Sequence, residues 1–201
     1  FQGGSNAGHT IINNYGKFTL HLLPSGVFYN HVINILGSGV AVNIEVLLKE
    51  LENLKAKNVP IPNLLISECA QVVMPWHILF DNYEEERLGK NNFGSTRSGI
   101  APFYSDKYAK TGIRVLELYQ PQILKEKIHE ICEVKNILLK YLYDTPLLDA
   151  NKIYEEMIVM SEKIAPFVCN TTKFLNKALK EGKKILLEGQ LDSLKDPDNG
   201  I

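Results

Sequence analysis

Two short segments of the sequence combine glycine with polar side chains in patterns that suit phosphate chemistry. The first runs from Gly3 to Thr10 and has three glycines ahead of His9. Glycine lets the backbone approach a ligand closely, Asn6 can both donate and accept hydrogen bonds, and the imidazole of His9 can donate a proton to a phosphate or an oxyanion. The pattern equally suits a plain glycine-rich hairpin turn with a surface histidine, and the segment alone leaves both interpretations open.

The second segment, residues 94–102, reads Gly-Ser-Thr-Arg-Ser-Gly-Ile-Ala-Pro. Hydroxyls, free backbone amides and a guanidinium are the groups that phosphate oxygens need. Arg97 is one of three arginines in the chain, and arginine offers a planar fork that lysine lacks. Taken by itself, the segment is more typical of a solvated loop.

Two further segments carry weaker signals. Residues 106–114 predict a short helix ending at Gly112, and its lysines are adequately explained by the negative end of the helix dipole. Glu188-Gly189-Gln190 follows an apolar run. Because ligands of α/β sheets gather at the carboxyl ends of strands, Gln190 is well placed to meet one.

The remaining polar residues are most simply structural. His21 lies in an alternating strand pattern, His77 has no partner that the sequence identifies, and Trp76 suits packing. The run Glu84–Glu86 is typical of a solvated helix face. No HxH, HExxH, CxxC or Walker pattern occurs, so the sequence predicts neither a protein-only metal site nor a complete triphosphate cradle.

The elements that must position these segments alternate between strands and helices. Helices are predicted from Asn43, which can cap, from Pro75 to about Leu88, and in a block of three spanning 121–143, 150–167 and 171–181. Short apolar runs predict strands at 10–12, 19–23, 32–36, 64–67 and 184–187. A helical block between two strands indicates an α/β core with a helical insertion.

Composition excludes several classes of protein. The 201 residues are 45% hydrophobic and 22% charged, which argues against disorder. The net charge of −1 gives no field that favours nucleic acid or an anionic membrane as a partner, and no apolar stretch is long enough to span a bilayer. Three scattered cysteines predict a reducing, cytoplasmic setting. The chain begins at Phe1 and ends in a turn cluster, which predicts a piece of a longer protein.

Taken in order, the motifs resemble the adenylosuccinate synthetase family. They are the glycine segment at 1–10, Leu-His-Leu-Leu-Pro-Ser-Gly at 20–26, Gly-Ser-Gly-Val at 37–40, the hydroxyl segment at 94–102, Tyr-Ser-Asp-Lys-Tyr-Ala-Lys-Thr-Gly-Ile-Arg at 104–114 and Leu-Glu-Gly-Gln at 187–190. The resemblance covers essentially the whole chain. It implies an α/β fragment of a mostly parallel-sheet, P-loop-like ligase with a helical insertion.

This resemblance implies an enzyme of purine biosynthesis that joins inosine monophosphate to aspartate, using GTP and Mg²⁺, within a homodimer. It divides the chain into a nucleotide-facing part (1–113), a helical block (114–182) and a returning strand and loop (183–201). By motif match, His9 would be the general acid that assists phosphoryl transfer, and the backbone carbonyl of Gly8 would be a magnesium ligand.

The same match implies that Asn6, Thr96 and Gln190 hold the inosine monophosphate. Lys110 stands where the family usually has an arginine that reaches the nucleotide of the neighbouring subunit, so the charge is kept and the fork is lost. The hydroxyl segment has its arginine one place away from the family pattern, and the segment at Gln190 is one residue shorter. We interpret these departures as those of a divergent subgroup.

The resemblance also implies that segments of the family are missing, including the one with the catalytic aspartate, so we expect no turnover by this chain alone. A first alternative is a non-catalytic nucleotide-binding or dimerisation module. A second is an unrelated α/β phosphatase or kinase domain that uses His9 as nucleophile or acid.

Overall fold

In the computed structural model, which describes residue 1, residues 3–92 and residues 94–189, the chain forms two units. The first holds Phe1–Ala70 and the described residues from Phe167 onward, and the second holds Gln71–Pro166. The chain therefore leaves the first unit and returns to it. The division predicted at residues 113 and 182 stays a prediction. It was based on composition and resemblance, whereas these two units are defined by which residues pack together.

The first unit is built on a parallel three-stranded sheet. Its strands are β3 (Ile33–Leu36), β5 (Asn63–Ser67) and β7 (Val168–Cys169), with β5 in the middle. Parallel neighbours need a crossover, and α1 (Ile44–Ala56) makes it between β3 and β5. Asn43 caps α1 as predicted, since its side chain accepts a hydrogen bond from the Val46 amide at 3.1 Å. The predicted α/β class with a parallel sheet is confirmed.

The first unit also carries an antiparallel hairpin. It joins β1 (His9–Asn13) to β2 (Gly16–Leu20), with His9 opposite Leu20. Strand β2 alternates, because Phe18 and Leu20 are buried while their neighbours are exposed, and this gives the hairpin one face toward the core. The unit is completed by β4 (Ala41–Val42) and α6 (Thr171–Lys180).

One predicted strand of this unit is wrong. Residues 184–187 have no strand geometry, and Leu186 and Leu187 are 86% and 89% exposed. An apolar run becomes a strand only where a neighbouring strand offers hydrogen bonds, and no strand among the described residues pairs with this one. Strand β7, by contrast, was not predicted, because two residues carry too short a local pattern.

The second unit is mainly helical. After β6 (Gln71–Val72) it contains α2 (Pro75–Leu88), α3 (Ile100–Tyr108), α4 (Pro121–Leu138) and α5 (Ala150–Ile164). Proline opens α2 and α4 as predicted. The sequence after α2 shows no helical period from Gly89 to Pro102 and predicts a polar loop there, but α3 already begins at Ile100. None of the helices that the structure describes combines the length and apolar character needed to cross a membrane.

Candidate active site

The glycine-rich segment at the start of the chain lies at the carboxyl end of strand β3. The carbonyl of Phe1 accepts a hydrogen bond from the Gly37 amide at 3.1 Å, and the carbonyl of Gly3 accepts one from the Ala41 amide at 2.9 Å. Both donors belong to the stretch that directly follows β3. Because ligands of α/β folds bind outside the carboxyl ends of parallel strands, this segment occupies the edge where a ligand is expected.

His9 begins strand β1 at the end of this segment. Its Nε2 atom is shielded from solvent and has no hydrogen-bond partner among the described residues, and the same holds for the Ser5 hydroxyl. A buried polar atom left unpaired costs about 1–3 kcal/mol. A ligand that supplied the missing partner would recover this free energy, provided that it displaced the groups covering Nε2.

Gly8 lies directly against the imidazole of His21. A Cβ atom at Gly8 would stand 2.9 Å from His21 Nε2, which is closer than real side chains allow. His21 Nδ1 in turn lies 3.3 Å from the carboxylate of Glu50 on α1. The contact fixes one side of the turn that presents Gly8 and His9, so glycine at position 8 serves close packing as well as ligand approach.

Glu50 is the residue that anchors this side of the turn, and it belongs to none of the motifs noted in the sequence. The carboxylate is 6% exposed and accepts hydrogen bonds from the backbone amides of His21 at 2.5 Å, Leu22 at 3.2 Å and Leu23 at 2.9 Å. One signal was available: Glu50 falls three residues after Leu47 on the apolar stripe of α1, where a charge is buried only if it is paired.

In the second unit, the hydroxyl segment forms a loop held against α2. Thr96 is exposed, and its hydroxyl lies 2.5 Å from that of Ser98. The Ser95 hydroxyl donates to the Asp81 carboxylate at 2.6 Å and accepts a hydrogen bond from the Arg97 amide at 3.0 Å. The loop therefore directs Thr96 and Arg97 outward and keeps Ser95 inward.

Next to this loop, a buried polar network joins α2, α3 and α4. Asp106 accepts or shares hydrogen bonds with His77 Nε2 at 2.9 Å, Trp76 Nε1 at 3.3 Å and Lys135 Nζ at 3.1 Å. Burial lowers the pKa of His77 despite the neighbouring carboxylate. Burial also raises the pKa of Asp106, but the hydrogen bonds from His77 and Lys135 outweigh it and the net pKa is lowered. We interpret this network as structural.

The structure places three of the six predicted site residues together. Asn6, Gly8 and His9 share the turn of the first unit, whereas Thr96 and Lys110 belong to the second unit, where Lys110 is exposed with left-handed backbone geometry just after α3. That Thr96 joins His9 at one nucleotide, and that Lys110 reaches the nucleotide of a neighbouring subunit, both stay predictions. Gln190 lies outside the described residues.

The described residues fit a magnesium ion only in part. Among them, no group of three or more His, Cys, Asp or Glu could hold a metal ion. Gly8 is exposed and follows the turn that leaves Ser5 and His9 unpaired, so its carbonyl can offer one hard oxygen ligand. Mg²⁺ prefers oxygen ligands and commonly takes several from substrate phosphates, which is the arrangement that these residues fit.

Comparisons with known proteins agree along the whole chain. A family model described as adenylosuccinate synthetase matches residues 1–201. Curated relatives called adenylosuccinate synthetase are 43% identical in Dehalococcoides mccartyi and in a Thermoanaerobacter species, and 40% identical in Clostridium acetobutylicum. Each alignment covers 100% of this chain and 47% of the relative. The chain thus spans about half the length of the curated relatives it matches.

A solved structure agrees with these relatives. The fully ligated adenylosuccinate synthetase from Plasmodium falciparum superposes with a TM-score of 0.86 at 32% identity, covering 100% of this chain and 46% of that one.

Proposed function

Because the chain belongs to the adenylosuccinate synthetase family, we propose that it is the part of a GTP-dependent carbon–nitrogen ligase that holds inosine monophosphate and supplies a general acid. The ligase would form adenylosuccinate from inosine monophosphate and aspartate in purine biosynthesis, in the cytoplasm. The observation that carries the proposal is the unpaired, buried Nε2 atom of His9 in a glycine-rich turn at the carboxyl edge of the parallel sheet.

In the proposed mechanism, a carboxylate base outside this chain removes the ring proton of inosine monophosphate. The ring oxygen then attacks the γ-phosphorus of GTP, and GDP leaves. His9 donates a proton or hydrogen bond to the oxygens of the transferring phosphoryl group, where negative charge has to be neutralised. The amine of aspartate next attacks the ring carbon, and the phosphate departs with the oxygen. Bound Mg²⁺, held in part by the carbonyl of Gly8, would neutralise phosphate charge.

The remaining predicted residues orient the nucleotide. Asn6, Thr96 and Gln190 would donate hydrogen bonds to inosine monophosphate, and such positioning is a main source of rate in phosphoryl transfer. Lys110 would reach the nucleotide of a second subunit in a homodimer. Its exposed position after α3 leaves the ammonium accessible, and it would contribute charge without a bidentate fork.

Calorimetric titration of this chain with inosine monophosphate tests the binding half of the proposal. Asn6→Ala and Thr96→Ala should each weaken binding about tenfold to a hundredfold, the value of a hydrogen bond to a charged group. Thr172→Ala is the matched control, because Thr172 is an exposed threonine on α6. Binding that is equally tight in all four proteins would refute the assignment.

His9→Asn in the full-length protein tests the catalytic half. We expect nucleotide binding to be kept and synthesis to slow by about 10²- to 10⁴-fold, the usual contribution of a general acid. His31→Asn, an exposed histidine of the same unit, is the control. Full synthesis by His9→Asn would rule out His9 as the general acid of the ligase, and also as the nucleophile or acid of a phosphatase or kinase. Residues 1–201 alone should form no adenylosuccinate, and measurable synthesis by them would contradict the proposed division of labour.

A non-catalytic nucleotide-binding or dimerisation module is the second candidate. Tight binding of inosine monophosphate together with a full-length protein that has no synthetase activity would establish this candidate instead.

A further inference from the structure

We propose that a stripe of three buried polar residues on α2 sets the conformation of the loop that presents Thr96. The stripe consists of His77, Asp81 and Glu85, which are 1%, 5% and 5% exposed. Residues four apart lie on one helix face, so the three stand in a row one turn apart. Acidic residues are almost never buried unless they are paired, and this row contains two of them.

The partners of the stripe follow one another along a single segment. Glu85 accepts a hydrogen bond from the Gly94 amide at 3.1 Å. Asp81 accepts from the Ser95 hydroxyl at 2.6 Å and from the Gly99 amide at 2.8 Å. His77, one turn earlier on α2, pairs with Asp106 of α3. The segment from 94 to 106 therefore runs antiparallel to α2 and is fastened at successive turns.

The backbone of this loop needs such fastening. Gly94, Arg97 and Gly99 all have left-handed geometry, with φ of 69°, 56° and 78°. For a residue with a side chain, such as Arg97, that conformation is costly and persists only where the surroundings impose it. Gly99 also packs so closely on α2 that a Cβ atom there would lie 2.8 Å from the backbone carbonyl carbon of His77.

Asp81 is the member of the stripe that bonds to the loop on both sides of Thr96. One of its oxygens holds the residue before Thr96 and the other holds Gly99, three residues after it. Fixing both sides of a short turn fixes the position of the hydroxyl between them. Asp81 is therefore a positioning residue that acts on a ligand through Thr96. The identity of that ligand, inosine monophosphate, rests on the proposed function, whereas the fastening of the loop does not.

The experiment compares Asp81→Asn with Glu86→Gln. The first replacement keeps the shape of the side chain and removes its charge, and the second changes an exposed acid of the same helix. Amide hydrogen exchange of residues 94–99, exchange of the α2 amides and calorimetric binding of inosine monophosphate are measured on this chain. We expect Asp81→Asn to speed exchange of the Gly99 amide at least tenfold and weaken nucleotide binding by a similar factor, with α2 exchange unchanged.

Loop exchange and nucleotide affinity in Asp81→Asn that match those of Glu86→Gln would overturn the inference. General acceleration of exchange throughout α2 would overturn it as well, because Asp81 would then only stabilise the unit. If Asp81→Asn does not fold, Ser95→Ala replaces it, because it removes one hydrogen-bond partner of Asp81 and leaves the sequence of α2 unchanged. Ser95→Ala should likewise speed amide exchange in the loop. If the parent chain binds no inosine monophosphate, the proposed function fails, and the exchange data alone decide the role of Asp81.

Discussion

Replacing Glu50 with alanine should destabilise the first unit more than any surface change. The carboxylate accepts hydrogen bonds from the amides of Leu22 and Leu23, and both of these leucines are 0% exposed. In the native packing both amides therefore depend on this carboxylate for an acceptor. Each buried amide left unpaired costs about 1–3 kcal/mol, so we expect a loss of about 2–6 kcal/mol in the free energy of unfolding. This is a large share of the roughly 5–15 kcal/mol that stabilises an ordinary domain.

Urea unfolding followed by circular dichroism measures the predicted loss. Glu50→Gln should lose less, about 1–3 kcal/mol, because the amide keeps one acceptor oxygen and gives up the charge that strengthens the bonds. Glu52→Ala, an exposed glutamate of the same helix, should stay within about 0.5 kcal/mol of the parent. Hydrogen exchange should show the Leu22 and Leu23 amides opening in Glu50→Ala.

Unfolding of Glu50→Ala within about 1 kcal/mol of the parent, with those two amides still protected, would contradict this role of Glu50. That outcome would mean that the backbone finds other acceptors on relaxation, and that the buried carboxylate is not what holds residues 21–23 against the turn of Gly8 and His9.

Three further predictions follow from the second unit. Burial lowers the pKa of His77, so on acidification the histidine of the unfolded chain takes up a proton before that of the folded chain. The free energy of unfolding should therefore fall as pH drops from 7 through about 6.5. A melting temperature that does not change over this pH range would contradict this. Gly99→Ala should cost at least about 1–3 kcal/mol in urea unfolding, because φ is +78° and the added Cβ meets backbone; an unchanged midpoint would contradict this. Hydrogen bonds from Arg87, and to a smaller extent from Tyr143, lower the pKa of Glu84 to about 2. Arg87→Ala should therefore raise the pKa of Glu84 in an NMR titration. An unchanged pKa would show that the shift has another cause.

Much of the fold could be predicted because its signals are local. The capping side chain of Asn43, the prolines at the starts of α2 and α4, and the apolar stripe of α1 act within four residues of sequence. Strands were predicted less well. Residues 184–187 have the composition of a strand but no pairing strand among the described residues, whereas β7 pairs with β5 but is too short to show a strand pattern in the sequence.

The candidate site divides in the same way. The glycine-rich turn with Asn6 and His9 was visible in the sequence, and the comparisons with known proteins confirm the family that its motifs resemble. The run Glu84–Glu86, predicted to be a solvated face, has its middle member buried against the hydroxyl loop. That prediction was wrong because consecutive helix positions point in directions about 100° apart, so one residue of a charged run can face inward.

The helical segments, the place of the glycine turn and the family that the motifs resemble all follow from the order of the residues. The folded chain was needed to show that Glu50 holds the backbone of residues 21–23 and that Asp81 holds the loop around Thr96. Distance along the chain explains the difference. Caps and helical periods depend on neighbours, whereas a buried carboxylate is stable only beside donors that folding brings from 14 to 29 residues away.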